Sequence, residues 1–166
     1  MNTLSTFGWT EENQTGWNEL ALSPLRPARV VADFGTSLKL ASPEIITAEL
    51  SGKLAHYSVR ENTPKVGDWV AVNILDNSAV VESVVLRANE IARKVSGKRV
   101  LKQIFAANVD IAFVLVALDK DFSVERLQRY LFQLSANSIK PVIVLNKADK
   151  TDDLASYISQ LEAFDV

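Results

Sequence analysis

The sequence predicts an all-β, OB-type five-stranded barrel followed by a partial α/β domain, and three observations carry that expectation. Between Ala28 and Leu86, short β-rich runs alternate with turn residues. From Ile111 onward the pattern changes to nearly continuous apolar runs separated by a helical period, as expected for strands buried on both faces. Between the two patterns lies a stretch rich in lysine and arginine that is expected to be a linker.

In chain order, residues 1–27 form a lead-in whose Leu4, Phe7, Trp9, Trp17, Leu20 and Leu22 give it an apolar surface to lay on the barrel. Residues 28–90 hold the barrel strands: Ala28 to Phe34, Thr36 to Ala41, Glu44 to Leu50, Val66 to Leu75 and Ala79 to Leu86. Gly35, Ser42-Pro43, Ser51-Gly52 and Asp76-Asn77-Ser78 separate these runs, the last as a hairpin connection. Five alternating runs suggest a small antiparallel barrel, most often of OB type, with an SH3-like barrel as the other solution. Trp69 is expected in the barrel core rather than as a stacking platform.

Residues 91–105 are the basic linker, and residues 106–166 begin the α/β domain. In the latter, Ile111 to Leu118 and Pro141 to Leu145 read as buried strands. Val124, Leu127, Leu131 and Leu134 recur at helical spacing after Ser123, an N-cap, with Glu125 in the first turn where the helix dipole favours it. A second helix carries Leu154, Tyr157, Ile158, Leu161 and Phe164 on one side. A right-handed crossover makes the two strands parallel, and ligands of such sheets bind at the carboxyl ends, where Asp119 and Asn146 both fall. Two strands with one helix each cannot cover both faces of a sheet, so this segment is expected to open a larger domain that is cut short here.

With 166 residues, 48% hydrophobic content and a net charge of −2, the chain has the composition of a globular protein. It contains no cysteine and one histidine, His56, which excludes disulfides, thiol nucleophiles and thiolate or histidine metal clusters; no metal site is expected in this chain. It has neither a signal-peptide pattern nor an 18-residue apolar run, so no membrane association and a cytoplasmic location are expected. Charge is unevenly placed: Arg87, Arg93, Lys94, Lys98, Arg99 and Lys102 are opposed only by Glu90 between positions 87 and 102, whereas the stretch from Asp149 is acidic.

Asn146-Lys147-Ala148-Asp149, at the end of the second buried strand, is the motif with chemical content. An ionised Asp149 can accept from both the N1–H and the exocyclic amine of guanine, whereas adenine offers no amine there and leaves the carboxylate unpaired. The Lys147 stem can lie over the base, and Asn146 can tie the loop to backbone. No G-x-x-x-x-G-K-[ST] occurs, so a phosphate cradle and its magnesium ligand are absent from these residues, and no catalytic residue is assigned.

An N-K-x-D motif lying after an N-terminal barrel and before any phosphate loop resembles the circularly permuted P-loop GTPases, specifically the ribosome-small-subunit-dependent GTPase family. The likeness extends to Pro27-Ala28-Arg29-Val30, Pro64 to Val70, Arg93-Lys94 with Gly97, Gln103 to Asp110, Leu118 to Phe122, Arg126 to Leu131 and Pro141 to Asp149. Ser123 stands where the family pattern often has Asn. The resemblance implies an OB domain, a permuted GTPase domain and a C-terminal zinc-binding domain acting in late maturation of the small ribosomal subunit. It implies GTP and Mg2+ as cofactors, Zn2+ only in a domain absent here, the small subunit and its rRNA as partners, and a monomer. Guanine nucleotide recognition carries over to Asn146, Lys147 and Asp149, and this piece is expected to be inactive alone.

Two other readings compete. In one, the barrel and the basic stretch form a stand-alone RNA-binding module, with Arg93, Lys94, Lys98, Arg99 and Lys102 neutralising phosphates and the α/β extension non-catalytic. In the other, Asp119 accepts phosphate in a signalling-type α/β domain, which leaves N-K-x-D unexplained. Without a ligand, Asp119 and Asp121 read as a solvated turn.

Overall fold

The computed structural model describes residues 3–57, 63–76, 78–95, 101–162 and 164, without the side chains of Thr3, Tyr57, Lys94, Val95 and Leu101. These form two compact units that divide after Asn108.

The first unit opens with a 3-10 turn and α1 (Glu11–Glu19), capped by Thr10 in a reciprocal box with Asn13. The barrel follows as β1 (Arg26–Asp33), β2 (Leu38–Ser42), β3 (Glu44–Leu50), β4 (Trp69–Ile74) and β5 (Ala79–Val85), closed in the order β1-β2-β3-β5-β4. A short helix, α2 (Gly52–Tyr57), precedes β4. The order is that of an OB-type barrel. It is not wholly antiparallel: β3 and β5 pair in parallel through Ala48, Glu49 and Leu50. Register shifts between Val30 and Ala32, and between Ala71 and Val72, give the bends that closure needs.

Alternation decides what lies inside. Ala28 and Val30 of β1, Leu38 and Leu40 of β2, Val70 and Val72 of β4 and Val81 of β5 fill the barrel. The outward residues of β4, Trp69 and Ala71, are also fully covered because the lead-in lies over them. Trp9 packs edge-on against Trp69 at 4.6 Å and against Trp17 at 6.2 Å. Trp69 is therefore core, as expected, but in the layer between barrel wall and lead-in rather than inside the barrel.

The predicted fourth strand begins three residues late because Gly67, at φ +93, breaks the extended run. A Cβ there would collide with the carbonyl of Ala107, so the position requires glycine. Beside it Asp68, fully buried, accepts two hydrogen bonds from Arg87, at 2.8 and 2.6 Å, and one from the Lys65 amide. That hydrogen bonding to Asp68 raises the Arg87 pKa above its ordinary value. Arg29 donates to the carbonyls of Phe7, Gly67 and Asn108, tying the lead-in, β1 and the end of the unit together.

The stretch expected as a linker instead contains most of an antiparallel ribbon of β6 (Glu90–Val95) and β7 (Leu101–Ala107). The adjacent Arg93 and Lys94 interrupt the two-residue period by which a strand is recognised.

The second unit pairs β8 (Ile111–Ala117) with β9 (Lys140–Asn146) in parallel, from Ile111 opposite Lys140 to Ala117 opposite Asn146. Between them α3 (Val124–Ala136) buries Leu127, Leu131 and Leu134. Ser123 caps it by accepting from the Arg126 amide, and α4 (Leu154–Leu161) is capped in the same way by Asp153.

Candidate functional site

The site forms where β8 and β9 end side by side. The last ladder bond runs from the Leu118 amide to the Asn146 carbonyl, at 3.0 Å, so the loops after both strands leave the sheet at one level. After Leu118 the chain turns over Asp119, whose Oδ1 accepts from the Asp121 amide at 3.0 Å and whose carbonyl accepts from the Phe122 amide. The Phe122 ring packs edge-on against Tyr157 of α4 at 4.7 Å, which anchors this turn within the unit.

After Asn146, Lys147 takes the left-handed conformation, φ 59 and ψ 35, and a single 3-10 turn, Ala148–Lys150, follows. A left-handed lysine costs roughly 1 kcal/mol of backbone strain. The Asn146 side chain offsets part of it, since its Oδ1 accepts from the Lys147 amide at 2.9 Å.

Lys147 then turns toward β8. Its Nζ donates to Asp119 Oδ2 at 2.6 Å. The hydrogen bond holds the Asp119 carboxyl below its ordinary range, reinforced by the Asp121 amide, and raises the Lys147 ammonium above its own. Asp149 is different. Its side chain is 73% exposed, and its partner among the described residues is Lys150 at 3.5 Å. The loop thus presents an open carboxylate beside a lysine whose charge is already engaged, an arrangement able to accept from two adjacent N–H groups of a planar base. The loop lies open on the surface, with Asn146, Lys147, Ala148 and Asp149 all exposed.

Sequence reasoning brought Asn146, Lys147 and Asp149 to this loop but gave Asp119 no part in it, reading it as a solvated turn or, in a competing reading, as a phosphate acceptor. The available signal was the strand register: in parallel strands that end together, residues just past each end face one another.

The basic stretch is less open than its composition suggests. Arg87 is engaged by Asp68 and Glu90, and Lys102 is paired with Glu90. Arg93 is exposed, donates to Gln103 at 3.1 Å and lies 5.3 Å over the Phe105 ring. Lys94 lies opposite Lys102 in the ribbon, and Lys98 and Arg99 lie outside the described residues.

Among the described residues there is no group of three or more His, Asp or Glu side chains that could hold a metal ion. No described helix is long and apolar enough to cross a membrane.

Residues 84–166 match the family model described as RsgA GTPase. Curated relatives include the small ribosomal subunit biogenesis GTPase RsgA of Opitutus terrae, 34% identical over 91% of this chain and 44% of that protein. RsgA 2 of Vibrio parahaemolyticus is 35% identical over 83% of this chain and 36% of its own length. RsgA 1 of Bacteroides thetaiotaomicron is 29% identical over 96% and 47%. The chain thus spans less than half the length of these relatives. A barrel of OB order, a parallel β8–β9 pair ending in N-K-x-D and these matches lead to one conclusion: the chain belongs to the RsgA GTPase family.

Proposed function

We propose that this chain supplies guanine recognition to a GTPase that acts in small ribosomal subunit biogenesis. Asn146 shapes the loop, Lys147 lays its stem along the base, and Asp149 accepts from guanine N1–H and the exocyclic amine. The observation that carries the reading is the Asn146–Asp149 loop itself, placed at the carboxyl end of β9 with the Asp149 carboxylate open. The relatives' names supply the process; the geometry supports the base.

The same proposal extends to the whole protein: GTP with Mg2+ as the hydrolysed complex, Zn2+ in a separate C-terminal region, and a cytoplasmic monomer acting on the subunit's rRNA. None of the described residues is assigned to hydrolysis. Contact with RNA is proposed for the OB barrel and the β6–β7 ribbon, through Arg93 with Lys94, Lys98, Arg99 and Lys102. The Arg93–Phe105 stack offers a cation and a ring face on one exposed surface, a combination suited to phosphate and base together.

The test is a change of base. In Asp149→Asn the side-chain amide can donate to the carbonyl that xanthine carries in place of the amine, while guanine meets donor against donor. In the full-length protein, competition binding should invert from preference for GTP to preference for xanthosine triphosphate. A folded variant that keeps the parent's preference would show that Asp149 does not read guanine.

A further inference from the structure

We propose that Asp119 is a positioning residue for guanine recognition, acting by holding Lys147 away from Asp149. The inference rests on the reading of Asp149 as the guanine acceptor and adds to it a residue from the other strand.

Lys147 and Asp149 are two positions apart at the start of a one-turn helix, and they carry opposite charges. A lysine side chain is long enough to reach across that spacing, and an Asp149 carboxylate occupied by its ammonium would have to surrender it before accepting from a base. Instead the ammonium lies on Asp119, 28 positions earlier in the chain, at 2.6 Å. Asp119 is suited to that task because its other oxygen is held by the Asp121 amide, which fixes the carboxylate plane. Its side chain is 24% exposed, against 50% for Lys147 and 73% for Asp149, so the anchor is the more sheltered acceptor. With the head of Lys147 drawn to β8, its methylene stem spans the gap between the two strand ends as a wall for the purine, and Asp149 is left, among the described residues, with only its long, solvent-exposed contact to Lys150 at 3.5 Å.

The pair is fixed by topology. Only parallel strands ending in the same register bring Asp119 and Lys147 together, and Ala117 opposite Asn146 supplies that register. When the anchor is removed, Lys147 is left with Asp121, on the β8 turn, which already acts on its charge, and with Asp149, two positions along its own loop. Capture by Asp149 lowers affinity only for bases that need both of its oxygens.

The experiment compares GDP with IDP, whose hypoxanthine lacks the exocyclic amine, by equilibrium binding to the full-length protein. Asp119→Asn retains an acceptor for the Asp121 amide, so the turn is preserved. It should reduce the ratio of GDP to IDP affinity by about three- to fivefold, the strength of one exposed ion pair, and the reduction should shrink as salt is raised. In a Lys147→Met background the same substitution should leave the ratio unchanged, because no ammonium remains to compete. Loss of equal size for both nucleotides, an unchanged ratio, or the same loss with and without Lys147 would each overturn the proposal. The outcomes also separate the two claims: no preference for GDP over IDP in the unmodified protein removes the guanine reading itself and this proposal with it. A clear preference that Asp119→Asn leaves intact removes the positioning role alone.

Discussion

The two units solve the problem of covering a sheet in opposite ways. In the first, β4 is buried on both faces, by the barrel interior on one side and by the lead-in on the other, so residues 69 to 72 are all buried. In the second, β8 is covered on one face by α3, while Ile111, Phe113 and Leu115 on the other are more than half exposed. The difference extends to charge. The first unit's central ion pair, Asp68 with Arg87, is shielded from solvent, and the second unit's, Asp119 with Lys147, lies at the surface. Burial invests the barrel's residues in stability, whereas the open strand ends of the second unit leave theirs available for recognition.

The sharpest way to break this comparison is to truncate one large side chain in each unit. Trp69→Ala should destabilise the first unit by about 4 kcal/mol, since it removes the ring that joins barrel wall to lead-in. Leu115→Ala should change stability by less than about 0.5 kcal/mol, because the side chain is already exposed. Urea unfolding with fluorescence and circular dichroism measures both. Equal losses would mean that the exposed face of β8 is covered in solution.

The ion pairs give the next contrast. Asp68→Ala removes the buried carboxylate that accepts two hydrogen bonds from the sheltered Arg87 guanidinium, leaving it to Glu90, and should cost about 3 kcal/mol in the same assay. Asp119→Ala should leave the unfolding midpoint unchanged, its effect falling on binding instead. A midpoint shift as large as that of Asp68→Ala would give Asp119 a structural role.

The smallest effect expected is in pH dependence. Asp119 has a depressed folded pKa, so its contribution is present above the ordinary carboxylate range and is lost as pH falls through the lowered value. Lys147 has a raised one, so its contribution is present below the ordinary lysine range and is lost as pH rises through the raised value. Between those limits the pair persists. Titration of the Lys147 Nζ by NMR should give a value above that of exposed lysines, returning to theirs in Asp119→Asn. An unshifted lysine in the unmodified chain would mean that the pair does not persist in solution.

Much of this arrangement was legible from residues alone. The barrel strands show themselves because inward Val30, Leu40, Val70 and Val81 alternate with polar or covered neighbours, and Ser123 marks the start of α3 by the chemistry of its hydroxyl. The N-K-x-D motif is legible letter by letter, and the proposal that it reads guanine rests on those letters. What stayed hidden depended on distance along the chain or on masked periodicity. In the β6–β7 ribbon the basic residues are not spaced two apart, Arg93 and Lys94 being neighbours and Lys102 standing alone in β7, so no strand period stands out in the sequence. The parallel β3–β5 seam follows from closure, which no local pattern encodes. Asp119 acquires its partner only once the β8–β9 register is set.

The seam between β1 and β4 has a consequence for the order of events during synthesis. Arg26 pairs with Val72, and Arg29 reaches the Asn108 carbonyl, so the first strand waits for partners made long after it. The chain entropy surrendered in closing such a span must be met before any contact returns it, which makes barrel closure a non-local and entropically costly step. On the ribosome, β1 and β2 can form a hairpin early, yet the barrel cannot shut until the segment carrying Trp69 has left the exit tunnel. The last carbonyl that Arg29 binds emerges only as the ribbon is completed, so the first unit is finished just as translation reaches the strand that will carry the second.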